Sequence, residues 1–138
     1  MRRILLFLFV PLLVGCGTVQ QAWESYWLPP FDNREYTYAV ELRTMSEFMA
    51  SQCQDSKQSA VNATEIHRKA QEFHNYAKEL QNNRDVATMA ASIKEITVSL
   101  PERYARPEPV SAAYCRSKYN LISLASTGAQ QAMARKKR

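Results

Sequence analysis

Three cysteines, two histidines and a run of basic residues are the side chains in this 138-residue sequence with the plainest chemistry to offer. Cys16, Cys53 and Cys115 lie tens of residues apart, so they form neither a Cys-x-x-Cys dithiol nor a zinc-type ligand pair. His67 and His74 are seven apart. On a helix that spacing puts them on one face but about 10 Å from each other along the axis. A metal needs ligands about 2 Å from its centre, so no metal site is expected. Glu65, Glu72 and Glu79 recur at the same interval, with Lys69 and Lys78 among them. Glu65 and Lys69 are an i, i+4 pair in the favourable order, which marks a solvated helical face and not an acid and base working together. No Gly-x-Ser-x-Gly elbow occurs. With no catalytic set, the chain is expected not to be an enzyme.

Composition narrows the field further. The only glycines are Gly15, Gly17 and Gly128, which excludes a Gly-rich phosphate loop and disfavours a hairpin-rich β fold. The formal charge of +5 is concentrated at the two ends, in Arg2 and Arg3 and in Arg135, Lys136, Lys137 and Arg138. Without those six the chain has twelve basic and thirteen acidic residues. A nucleic-acid partner is not indicated, because such faces spread many cations over the folded surface. No small-molecule substrate is evident either.

Arg2 and Arg3 precede an apolar run, Ile4 to Val14, of 11 residues. A membrane-spanning helix needs about 20, so the run is read as a signal-peptide core. It ends in Leu13-Val14-Gly15-Cys16, which resembles the lipobox of bacterial lipoproteins. The resemblance implies removal of residues 1–15, a diacylglycerol thioether on Cys16 and an acyl chain on its new amine. These covalent groups are the only non-protein components expected. Each buried methylene contributes about 0.8 kcal/mol, so several chains together hold essentially permanently. Gly17 stands where an aspartate would favour inner-membrane retention in such lipoproteins. The implied address is therefore the inner leaflet of the outer membrane, with the protein facing the periplasm.

Residues 16–33 show no sustained period and contain Pro29-Pro30, and are read as a lipidated tether reaching at most about 50 Å. Trp23, Tyr26, Trp27 and Phe31 crowd this stretch. Trp23, Tyr26 and Trp27 are candidates for the membrane interface, where amphipathic rings are favoured. The alternative is that these rings fold back to cap the apolar end of the body. The tail at 135–138 is a candidate for anionic headgroups, at about 1 kcal/mol per charge. It would equally suit an acidic partner or plain solvent.

From residue 34 the apolar period is helical, and the sequence predicts one all-α domain over 34–134, a four-helix bundle. The first helix, about 34–54, carries a stripe of Tyr38, Leu42, Met45, Met49 and Cys53. The second, about 56–81, opens on a capping signal at Asp55 and Gln58 and places Ala63, Ile66, Ala70, Phe73, Ala77 and Leu80 on a seam. The third, about 85–100, takes Asp85 as its cap, lines up Val86, Met89, Ile93, Ile96 and Leu100, and stops at Pro101. The fourth, about 109–134, starts with Pro109 at its first position and turns Cys115, Tyr119, Ile122, Ala129 and Met133 inward.

With Cys16 assigned to lipid, Cys53 and Cys115 remain. An even pair on inward stripes in an oxidising compartment is expected to form a disulfide, the alternative being two buried thiols packed as small hydrophobes. Met49-Ala50-Ser51-Gln52-Cys53 at the end of the first helix and Tyr114-Cys115-Arg116 at the start of the last, behind a lipobox, resemble in layout the small α-helical pilotins of type II secretion. In those outer-membrane lipoproteins the two cysteines are bridged, and the bundle carries a segment of the secretin to the outer membrane. The resemblance implies a lipid-anchored binding or assembly module with a protein partner in the envelope, an incoming amphipathic helix lying between its helices. Gln54-Asp55-Ser56-Lys57 replaces the family's Asp/Pro-rich stretch, so no partner-binding residues carry over. The competing class is a lipoprotein subunit of a conjugation or secretion pore, or a phage-encoded envelope lipoprotein of the spanin or exclusion type.

Overall fold

A computed structural model describes residues 30–136. Four helices follow in order: α1 (Asn33–Ser51), α2 (Ser56–Glu79), α3 (Arg84–Tyr104) and α4 (Ala112–Ala134). Among the described residues there is no strand, and no helix is long and apolar enough to cross a membrane. α1 packs most closely on α4 and α2 on α3, and the remaining neighbours, α1 with α2 and α3 with α4, close the ring. The start of α1 meets the end of α4, and the end of α1 meets the start of α4. The arrangement is an antiparallel four-helix bundle.

The helices begin where short polar side chains satisfy free backbone donors. Asp32 accepts from Glu35 N at 2.7 Å and opens α1. Asp55 accepts from Lys57 N and Gln58 N, each at 3.0 Å, and opens α2 as expected. Gln58 turns its amide forward to Asn62, so the cap is one-sided and not a reciprocal box. Two other expected starts are corrected. Asn83, not Asp85, precedes α3, and its side chain makes no cap bond because it points into the bundle. α4 begins at Ala112 and not with Pro109 at its first position, and Ser111 caps it by accepting from Tyr114 N at 3.2 Å.

Pro101 does not end α3, which runs on to Tyr104. A proline three residues before a helix end costs one backbone bond. The turn beyond it is held by Ala105 N donating to Pro101 O at 3.0 Å and by half-buried Tyr104 against the core. Between α2 and α3 the chain reverses through Asn82 at φ 55°, the left-handed region that asparagine tolerates better than most residues.

Each helix contributes a seam with alternating steps of four and three residues, the 3.5-residue average of near-parallel packing. In α2 the expected seam is observed over Ala63, Ile66, Ala70, Phe73 and Ala77, while Leu80 caps the helix half-exposed. In α4 Ser126 joins Cys115, Tyr119, Ile122, Ala129 and Met133. Two expected stripes are rotated. α1 buries Glu35, Ala39, Leu42, Ser46 and Met49, with Tyr38 and Met45 half-buried beside them. α3 buries Val86, Ala90, Ile93, Thr97 and Leu100, with Met89 exposed and Ile96 half-buried. The reason is common to both. Small and polar residues (Glu35, Ala39 and Ser46 in α1, Ala90 and Thr97 in α3) share the seams with larger apolar ones, and Tyr38, Met45 and Ile96 fill the flanks.

Candidate functional site

The bundle has two tied ends. At one, Cys53 and Cys115 form a disulfide with their Cα atoms 5.7 Å apart, across 62 residues of sequence. Cys53 follows the last turn of α1 and Cys115 lies in the first turn of α4, so the bridge joins the two most closely packed helices. A polar chain continues from it: Asn62 Nδ2 donates to Gln52 Oε1 and Gln58 Nε2 donates to Asn62 Oδ1, both at 2.8 Å.

The other end is the one where the chain enters at Pro30, and it holds a buried ion pair. Lys136 Nζ lies 2.8 Å from Glu35 Oε2 and also donates to Asn83 Oδ1. Asn83 Nδ2 in turn donates to Glu35 Oε1 and, at 2.9 Å, to Ala77 O. Glu35 is 0%, Asn83 3% and Lys136 9% exposed, so the pair is withdrawn from water. Together they join α1, the turn after α2, and the residues after α4. Nearby, Gln130 Nε2 donates to Ala39 O at 3.0 Å, a second buried link between α4 and α1.

The placement of Lys136 corrects one expectation. It does not offer its charge to headgroups or solvent, because the continued seam of α4 (Ile122, Ser126, Ala129, Met133, then residue 136) carries it inward onto Glu35. Arg135 beside it is exposed. Cys16, Trp23, Tyr26, Trp27, Lys137 and Arg138 lie outside the described residues. Phe31, grouped with the tether by sequence, packs on Tyr36 with ring centroids 5.6 Å apart and so belongs to the bundle.

Lys69 also departs from expectation. It pairs across the helix boundary with Glu41 of α1 at 2.9 Å and with Glu72 at 3.4 Å, and not with Glu65. Its ammonium stands 5.5 Å from the Tyr38 ring centre. Tyr38 packs on Phe73 and Tyr76 of α2, and Tyr76 donates its hydroxyl to Asp32. This ladder fills the outer edge between α1 and α2.

His67 faces α3. Thr97 Oγ1 donates to Lys94 O at 2.7 Å, which leaves it an acceptor for His67 Nδ1–H at 3.0 Å. That assigns the imidazole proton to Nδ1, and Nε2 accepts from Gln71 Nε2 at 3.0 Å. Thr97 is fully buried, so its hydroxyl meets the imidazole from inside the bundle. Burial, and then the positive charge of Lys94, lower the pKa of His67. The same two causes, with Lys78 added, lower that of His74. Unfolded chains therefore bind more protons than folded ones near the ordinary histidine value of about 6.5. Stability is expected to be complete above that pH and to fall as pH drops through it. Urea midpoints at pH 7.5 and pH 5.5 check this: the wild type loses stability over the interval, and His67→Gln loses less.

Among the described residues no three His, Cys, Asp or Glu side chains converge on a point that would hold a metal ion. No family model, curated protein or solved structure matches the chain, so the reading of function rests on the residues themselves.

Proposed function

We propose that the protein is a lipid-anchored binding or assembly module of the bacterial envelope, held at the inner leaflet of the outer membrane and facing the periplasm. The observation that carries this reading is the Cys53–Cys115 disulfide, since such bridges persist in oxidising compartments. It agrees with the independent signal of Arg2 and Arg3, an 11-residue apolar run and Leu13-Val14-Gly15-Cys16. The lipid would be attached 14 residues before Pro30, at the end of the bundle that carries the buried ion pair. The far end and the helix flanks would be left for a partner. α4 exposes Leu121 (46%) and Leu124 (70%) about one turn apart, apolar surface of the kind that receives an amphipathic helix. The pilotin-like reading makes that partner a segment of a secretin.

Intact-mass measurement of the envelope protein tests the anchor. The expected species begins at Cys16 and carries fatty acids, and is lost in Cys16→Ser. Retention of residues 1–15 without fatty acid sinks the proposal. Deletion of the protein tests the partner: a secretin multimer stranded in the inner membrane supports piloting, and normal localisation removes it. Stoichiometric crosslinking into a large complex points to the pore-subunit reading.

A further inference from the structure

The buried pair at the chain-entry end has the form of a receptor with its ligand in place. Asn83 Nδ2 is tied to Ala77 O and to Glu35 Oε1, so the two acceptor groups are oriented by partners other than the lysine. Their remaining oxygens, Glu35 Oε2 and Asn83 Oδ1, converge on one ammonium. Glu35 sits in the first turn of α1 and Asn83 immediately before α3, so packed helices hold the acceptors.

The ammonium is held differently. Lys136 stands two residues beyond α4, tied by its backbone N–H to Met133 O at 3.0 Å. Clefts of about 100 Å³ and about 250 Å³ flank it, and Asn82, Asn83 and Lys136 line both. The larger has an apolar wall of Pro30, Phe31 and Leu80. Lifting Lys136 out breaks local backbone structure at one point, whereas dismantling the acceptors requires α1 and α3 to separate.

We propose that Glu35 and Asn83 form a binding site for a primary alkylammonium, with Lys136 as the resident occupant and an external amine entering when Lys136 swings out. The N–H groups of the ligand donate to the carboxylate and amide oxygens, and its alkyl stem lies along the apolar wall. A quaternary ammonium has no N–H to donate and is refused. The site stands on its own geometry, whatever tethers the chain. Two sources share this chemistry, a lysine side chain on a partner protein and a free diamine.

The test uses the full chain carrying Lys136→Ala, melted in rising n-butylammonium or, at equal ionic strength, tetramethylammonium. Expected is a saturable rise in melting temperature with n-butylammonium, about 6 °C at tenfold its dissociation constant, and none with tetramethylammonium. Adding Glu35→Gln abolishes the rise. If Lys136→Ala is unfolded in plain buffer, the same titration reads the return of helical circular dichroism. A stronger response to Nα-acetyl-lysine amide than to cadaverine assigns the site to a peptide-borne lysine, and the reverse to a soluble diamine. No response, an equal response to both ammonium salts, or a response that survives Glu35→Gln overturns the site.

Discussion

Lys136→Met lowers the thermal midpoint of the full chain by about 12 °C or more, the expected result of leaving the Glu35 carboxylate buried without its cation. Removing one member of a buried ion pair costs about 3–5 kcal/mol, because the survivor keeps its desolvation penalty and loses the attraction that offset it. For a domain of about 100 residues each kcal/mol moves the midpoint by roughly 4 °C or more. The reverse change, Glu35→Leu, strands the ammonium instead and is expected to cost a similar amount. The double variant Glu35→Leu/Lys136→Met restores apolar continuity on the seam and recovers at least half of the loss. It does not recover all of it, since Asn83 Oδ1 then loses the buried donor that Lys136 supplies. Arg135→Met is the control: that side chain is exposed, and its change stays within about 0.5 kcal/mol. Equal losses from Arg135→Met and Lys136→Met would refer the effect to the general charge of the segment and remove the special place given to the pair.

This pair also shows where the sequence could be read and where it could not. α2 was legible because Ala63, Ile66, Ala70, Phe73 and Ala77 are apolar at every seam position, so hydrophobicity and geometry carry the same message. In α1 the two separate. Glu35 and Ser46 hold seam positions while Tyr38 and Met45 stand on the flank, so an apolar count rotates the helix toward its larger side chains. Ser46 satisfies itself by donating to Leu42 O at 2.6 Å, and Glu35 is satisfied by residues 48 and 101 positions away. Partners at that separation leave no local mark. Lys136 was obscured by its neighbours: four consecutive basic residues look alike in sequence, and only the continued spacing from Ile122 through Met133 singles out the second of them. The disulfide was legible because the two cysteines fall on inward stripes at opposite ends of the chain's helical order. The boundaries at Asn83 and Pro101 moved where tertiary contacts, Asn83 on Glu35 and Tyr104 on the core, outweighed local preference, whereas Ser111 starts α4 through a local cap on Tyr114 N.

Reduction of Cys53–Cys115, or the double change to alanine, is expected to lower stability by about 4 kcal/mol, the chain-entropy value for a loop of about 60 residues. In urea this moves the midpoint down by more than about 1 M, with the helical signal retained below the transition. A reduced protein whose midpoint stays in place would mean that the α1–α4 seam holds without the bridge. The bridge and the Glu35–Lys136 pair hold the same two helices at opposite ends. The 18 steps from Glu35 to Cys53, most of them within α1, span about 27 Å, too far for the two ties to share partners. Their contributions should therefore add to within about 0.5 kcal/mol. A chain lacking both loses about 7–9 kcal/mol, comparable to the whole stability of many domains of this size. That variant is expected to show no cooperative melt at 25 °C and above, whereas each single variant still does. A cooperative melt in the combined variant would show that the polar seam, with Ser46, Thr97, Ser126 and Gln130 in its interior, packs more strongly than its composition implies.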